Sequence, residues 1–421
     1  MIMTMTETKA KTHHGRLPCG IEYGVMPLPR RPVVTFQIRV LAGSCSEPPD
    51  KLGLSRVLEE TLDKGTARHT GPQLSDAFDA IGAACRSGAG RETTTFTCTI
   101  LPEHFEEALA LHAELLRTPT LPVDAVSVNL DLARQELITL EDDAQSLADK
   151  FINRQAYGPV LGRHGLGERE TLATISRDDL EHYWRSYFQA GRMLVAVAGP
   201  LDHTRVADAF ERHFAGFGSA GPAGRSTYPL EFTAKTTHYH KDLEQEQIAI
   251  CWPGVDVTHK DFPVQQVTLG ILSGGMSGRL FTEVREKQGL VYWVSAWQDT
   301  PRGCGMIFLG ASTTPERCDR TYETLLQEVD RLADDIQQDE HDRAITGIVA
   351  HQETRGDSTR ARCGELGGDL FYFGRPIPPE EKIAQVQAVT VDDVRRYLAA
   401  YPRDRLCVVT LGPRPLTASS R

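Results

Sequence analysis

Apolar and polar positions alternate near the start of the chain. Val34, Phe36, Ile38 and Val40 are separated by Thr35, Gln37 and Arg39, the period of a half-buried strand. With the preceding apolar run, residues 17–44 predict two strands joined by a Pro-rich turn. The period then changes. Gly53 to Thr66 has the spacing of an amphipathic helix stopped by Gly65, and Gly71-Pro72 opens a second helix. ACRSGAGRETTTFTCTI predicts a pair of strands, the second rich in β-branched residues. Phe105, Leu109, Leu111 and Leu115 return to helical spacing between Pro102 and Arg117, and a further helix is expected over residues 124–147. Strands, helices, strands and helices in that order predict an α+β layer instead of a doubly wound sheet.

An internal repeat organises the whole. TISRDDLEHYWRSYFQAGRMLVAVAGP at residues 174–200 matches VTVDDVRRYLAAYPRDRLCVVTLGP at 389–413, each an Asp-Asp-apolar helix start, an aromatic-rich helix and an apolar strand closed by Gly-Pro. Like units closing two halves predict an α+β protein of two similar α/β-layer domains. The Gly-, Pro- and Ser-rich segment 216–234 reads as the linker. The expected division is a disordered N-terminal tail at 1–16, a first domain at 17–215, the linker at 216–234 and a second domain at 235–421.

Composition narrows the class. With 421 residues, 40% apolar and 24% charged, the chain is globular and long enough for more than one core. A formal charge of −11 argues against nucleic acid as a standing partner. The sequence lacks a run long enough to span a membrane, and the N-terminus lacks the apolar segment of a secretory signal, so a cytoplasmic location is expected. Nine scattered cysteines do not form a secreted framework; Cys98, Cys251 and Cys407 lie in apolar strand-like runs and are expected to be buried thiols.

The chemistry centres on GLSRVLEETLDKGT, residues 53–66. It resembles the metal helix of the pitrilysin/insulinase-type zinc peptidases, G-x-A-H-x-x-E-H-x-x-x-K-G-T, in which two His one turn apart hold zinc and the Glu between them is the general base. Gly53, Leu54, Glu59, Lys64, Gly65 and Thr66 stand in register, but the His positions hold Arg56 and Glu60. A guanidinium has no lone pair for a metal. Counting about 76 residues on from Glu60, the family's spacing to its third ligand, reaches Glu136. In the second half, Gly274, Gly275, Ser277, Arg279, Leu280, Phe281, Glu283, Arg285, Glu286, Gly289, Leu290 and Tyr292 match the family's L-G-G-G-x-S-S-R-L-F-x-E-x-R-E-x-x-G-L-x-Y.

The resemblance covers nearly the whole chain and implies a clamshell of two domains. It also implies that Arg285 and Tyr292 face a zinc centre, Arg285 binding a substrate carbonyl and the Tyr292 phenol donating to the oxyanion of a tetrahedral intermediate. This chain would hold no zinc. It would be the non-catalytic subunit of a heterodimeric zinc metallopeptidase, inactive alone, its partner carrying an intact H-x-x-E-H with zinc and an unfolded peptide enclosed between them. Arg56 is expected at the metal's position, bridging at least one of Glu59, Glu60 and Glu136. The alternative is a structural or peptide-binding homologue without a part in catalysis, like respiratory-complex core subunits of the same fold; a third reading, activity alone with an unusual metal, is opposed by Arg56. Other motifs promise less. SGGMSG lacks a phosphate-loop lysine and reads as a hinge, His238 and His240 as surface residues on one strand face, and Glu141, Asp142 and Asp143 as a solvated helix end.

Overall fold

The computed structural model describes residues 11–219, 221 and 226–417. Among the described residues, eleven strands form two sheets. In the first, β1 (His13–Arg16), β2 (Glu22–Pro27), β3 (Val34–Val40), β4 (Ala84–Ala89), β5 (Thr94–Ile100) and β6 (Met193–Gly199) take the order β1-β2-β6-β3-β5-β4. In the second, β7 (Thr236–His240), β8 (Glu246–Gly254), β9 (Val291–Asp299), β10 (Gly305–Thr313) and β11 (Cys407–Gly412) take the order β7-β11-β8-β10-β9. With the edge strand β1 set aside, replacing β2 to β6 by β7 to β11 in sequence order converts the first order into the second. The repeat in the sequence is therefore a repeat in topology.

Its closing strands sit in the middle. β6 lies between β2, to which it is parallel, and β3, to which it is antiparallel; β11 lies in the same way between β7 and β8. Every residue of both strands is buried, as a central strand covered on two faces requires. The two expected strands of residues 17–44 are present, but β6 separates them. The helices that feed β6 and β11, Arg177–Tyr187 and Val391–Ala400, begin on matching capping boxes. The Ser176 hydroxyl accepts from Asp179 N at 3.3 Å while Asp179 accepts from Ser176 N at 2.8 Å, and Thr390 and Asp393 do the same at 3.2 and 2.9 Å. The second Asp of each Asp-Asp pair is thus a capping residue.

Three expectations change. His13–Arg16 is not tail but an edge strand, His13 opposite Val25 and Arg16 opposite Glu22, with the Arg16 guanidinium on the Glu22 carboxylate. Its two His, one Gly and one Arg carry no hydrophobic period to reveal it; residues 1–10 of the expected tail lie outside the described residues, as do residue 220 and residues 222–225 of the linker. The helix expected over 124–147 is two helices. After α1 (Leu54–Thr61), α2 (Gly71–Ala80) and α3 (Phe105–Arg117), α4 runs Val123–Asp142 and α5 Ala144–Leu161. Asp143 parts them as the N-cap of α5, accepting from Ser146 N at 2.6 Å, so this acid is a capping group and not merely solvated.

The described chain divides into two compact units, 11–134, 165–219, 221 and 355–377 against 135–164, 226–354 and 378–417. Each takes a helix from the other half of the sequence. The helix Thr359–Phe373 packs on the first sheet, where Cys363, Leu366 and Leu370 are buried with Ala196 and Ala198, and Arg39 donates to Gly364 O at 3.3 Å. In the second unit α5 packs on β11 and β7: Leu147 and Ala148 meet Leu411, Phe151 stacks on Tyr239 at 3.9 Å, and Gln155 bonds Lys235 O and the Thr237 hydroxyl.

Candidate functional site

In the first unit the site is built on α1. Gly53 precedes it with φ of +96°, a left-handed conformation, and a Cβ there would lie 2.8 Å from Leu172 Cδ2 and 3.0 Å from Leu166 O. The buried Glu47 carboxylate takes the helix's first free donors, Gly53 N at 2.9 Å and Ser55 N at 2.7 Å, and also the Ser55 hydroxyl. At the other end the Asn129 amide on α4 donates to Glu60 O and to the Thr61 hydroxyl, both at 2.9 Å. The helix stops as expected near Gly65, yet Gly65 is extended, with φ of 166°, instead of left-handed.

On this fixed helix Arg56 forks between the two acids. Its NH1 is 3.3 Å from Glu59 Oε2 and its NH2 2.6 Å from Glu60 Oε1. The Glu59 side chain is only 4% exposed, against 27% for Arg56 and 37% for Glu60. Burial pushes the Glu59 carboxyl above its ordinary value; a hydrogen bond from Ser87 on β4 pulls it back, Glu60 adds to the rise, and Arg56 again lowers it. The guanidinium therefore bridges Glu59 and Glu60, as expected of at least one of the acids named from the sequence. Glu136 is an exposed residue of α4 and belongs to the second compact unit.

This donor set does not fit zinc. Where the family has two imidazoles, α1 offers one cation without lone pairs and one carboxylate already paired with it.

In the second unit, the helix Phe262–Ser273 ends at Gly274, and the Gly-rich turn that follows exposes Met276 at its tip. Leu280–Lys287 then forms a π-helical segment. Arg279 before it is buried and holds Glu340 with two nitrogens, at 2.9 and 2.7 Å, while also bonding Asp335, so this matched arginine anchors the turn to the helices behind it. Gly289 (φ +59°) ends the segment, its N–H on Arg285 O at 3.0 Å, and Leu290 N reaches back to Val284 O. The chain turns directly into β9. Tyr292 is its second residue, 77% exposed on the strand that forms one edge of the sheet. The Arg285 guanidinium carbon lies 4.9 Å from the Phe281 ring centroid and 5.5 Å from that of Tyr292, so Arg285 and Tyr292 are brought together, cation over ring, with the phenol presented to solvent.

The remaining motifs are structural in placement. His238 is not a surface residue: it is half-buried, with Nδ1 2.9 Å from the Thr410 hydroxyl and 3.6 Å from Glu246. His240 on the same strand is exposed. Cys98, Cys251 and Cys407 are fully buried, as expected. What the sequence did not single out is a cluster of Cys85, Cys98 and His112, whose ligand atoms lie within 4.8 Å of one another. The only sequence signal for it is one cysteine on each strand of a hairpin whose register was not readable.

Comparison with known proteins matches residues 28–167 to the insulinase (peptidase family M16) model and residues 174–348 to the peptidase M16 inactive domain. An uncharacterized zinc protease of Rickettsia bellii is 27% identical over 363 residues, 86% of this chain and 88% of that protein. In fold, the chain is similar to a peptidase M16 inactive domain from Pseudomonas fluorescens, with TM-score 0.86, 22% identity and coverage of 97% and 99% of the two chains. A protease from Helicobacter pylori gives TM-score 0.87 at 18% identity, covering 95% and 99%. No helix among the described residues is long and apolar enough to cross a membrane.

Proposed function

The chain belongs to the M16, insulinase-type peptidase family as an inactive homologue, and from that premise we propose that it is the non-catalytic subunit of a two-chain zinc peptidase. Its partner carries the intact H-x-x-E-H and the zinc; this chain holds none at α1. Arg285 and Tyr292 complete the partner's site, Arg285 holding a peptide carbonyl and the Tyr292 hydroxyl donating to the oxyanion that forms when water attacks it. The substrate is an extended, unfolded peptide, bound by strand addition to a sheet edge.

One observation carries this reading. The half of the machinery that would bind metal is closed by Arg56 on Glu59 and Glu60, while the half that would touch substrate keeps an arginine and a solvent-facing phenol side by side. A chain that had left catalysis altogether has no need of the second arrangement.

The test is reconstitution. The chain, an H-x-x-E-H member of the family from the same organism, and their mixture are assayed on an unfolded peptide with zinc present. Cleavage in the mixture only, with a heterodimer on size exclusion, is the expected result. Full activity of the other protein alone, unchanged on mixing, would leave the structural or peptide-binding role in its place.

A further inference from the structure

β4 and β5 are antiparallel with Cys85 directly opposite Cys98, so the two thiols project on the same face of the first sheet. That face is the one α3 covers, and His112 of α3 stands over the pair. The three ligand atoms lie within 4.8 Å of one another. We propose that Cys85, Cys98 and His112 form a thiolate-rich cation site for Zn²⁺, separate from the α1 helix, with water as fourth ligand.

The donor chemistry selects the ion. Two sulfurs and an imidazole are ligands for a borderline-soft d¹⁰ cation, and a poor set for Mg²⁺ or Ca²⁺, which take oxygen. Tetrahedral Zn²⁺, with Zn–S of about 2.3 Å and Zn–N of about 2.1 Å, holds its donors about 3.5–3.8 Å apart. The donors already lie within 4.8 Å of one another, so reaching that spacing takes a shift of about 1 Å at most. Two thiolates also neutralise the charge of the ion, so a partly buried centre carries no net charge.

The imidazole is already prepared. His112 Nδ1 lies 2.8 Å from Ala108 O, one turn back on α3, which makes Nδ1 the protonated nitrogen and leaves the lone pair on Nε2. Phe36 and Phe78 meet the ring edge to face, each at 5.0 Å between centroids, and hold its orientation. Access is one-sided: Cys98 and His112 are buried, whereas Cys85 on the edge strand is exposed. An ion and its water enter at Cys85. Ser87, two residues along β4 and on the same face, hydrogen-bonds Glu59, so the site sits beside the closed α1 helix without sharing a residue with it.

Co²⁺ titration of the full chain, kept reduced by a phosphine, tests the proposal. One equivalent is expected to bind with near-ultraviolet thiolate-to-cobalt charge transfer and tetrahedral visible bands, bleached by one equivalent of Zn²⁺. Cys85→Ser, an exposed position that spares the core, is expected to weaken binding at least tenfold and reduce the charge-transfer band, while Cys304→Ser leaves both unchanged. A reduced chain without the band, or Cys85→Ser binding like the parent, would overturn the site. Failure to bind Co²⁺ together with a Cys85–Cys98 disulfide on mild oxidation would also overturn it and make the pair a redox couple instead.

Discussion

Replacing Arg56 by Ala removes the cation from between two carboxylates, and the cost follows from their burial. The Arg56–Glu60 contact is short, at 2.6 Å, but Glu60 is 37% exposed, so water screens it and it contributes about 0–1 kcal/mol. Glu59 decides the outcome. Breaking a buried ion pair costs about 3–5 kcal/mol, and here that is reduced because the separation is 3.3 Å and the guanidinium keeps some solvent, leaving about 2 kcal/mol for the substitution at pH 8. The sign with pH follows. Glu59 has its folded pKa raised, mainly by burial, so its contribution to stability is fully present below the unfolded carboxylate pKa and is lost as pH rises through the folded value. Removing Arg56 raises the folded value further and deepens that loss, so the cost should shrink below about 1 kcal/mol at pH 4, where a neutral Glu59 needs no cation.

Amide exchange of the peptide 53–66, read by mass spectrometry at pH 4 and 8 alongside urea unfolding, isolates the helix from transitions of the second unit. The double variant Arg56→Ala with Glu59→Gln should recover about 1–2 kcal/mol of the loss at pH 8. Equal destabilisation at both pH values, or no coupling with Glu59, would refute the bridging role.

Tyr292→Phe is expected to lower kcat of the reconstituted pair by about ten- to a thousandfold without changing subunit affinity, measured by initial rates and size exclusion; unchanged kcat removes the phenol from the mechanism. Glu246 is fully buried, one carboxylate oxygen has no hydrogen-bond partner, and burial raises its pKa to about 6. Its contribution to stability is therefore present below about pH 4 and lost as pH rises through 6, a difference of about 2 kcal/mol. Glu246→Gln should flatten the fall in urea midpoint between pH 5 and 7 and stabilise the chain at pH 8; a slope unchanged by the substitution would show that another group sets it.

Much of this protein is legible locally. The alternation of Val34 to Val40, the capping boxes at Ser176 and Thr390, the stop at Gly289 and the seven-residue spacing of Arg285 and Tyr292 are written within a few residues of where they act. So is the replacement of two imidazoles by Arg56 and Glu60, because neighbours at i, i+3 and i, i+4 on a helix meet whatever the rest of the fold does. The repeat even announces two like topologies. The order within each sheet is another matter. β6 and β11 enter between strands near in sequence because a predominantly apolar strand is most stable where both its faces and both its edges are covered, and only the assembled sheet supplies that place. The same reason sends α5 to the second sheet and Thr359–Phe373 to the first: each helix has an apolar face, and which sheet it covers depends on long-range packing that no window of the sequence contains. His112 is separated from Cys85 by a strand and a helix start, and hairpin register and helix placement together bring the three donors to one point. Chain-local chemistry determined the closed α1 helix and the Arg–Tyr pair; tertiary burial alone decided which strands are central, which helices change units and where two thiols meet an imidazole.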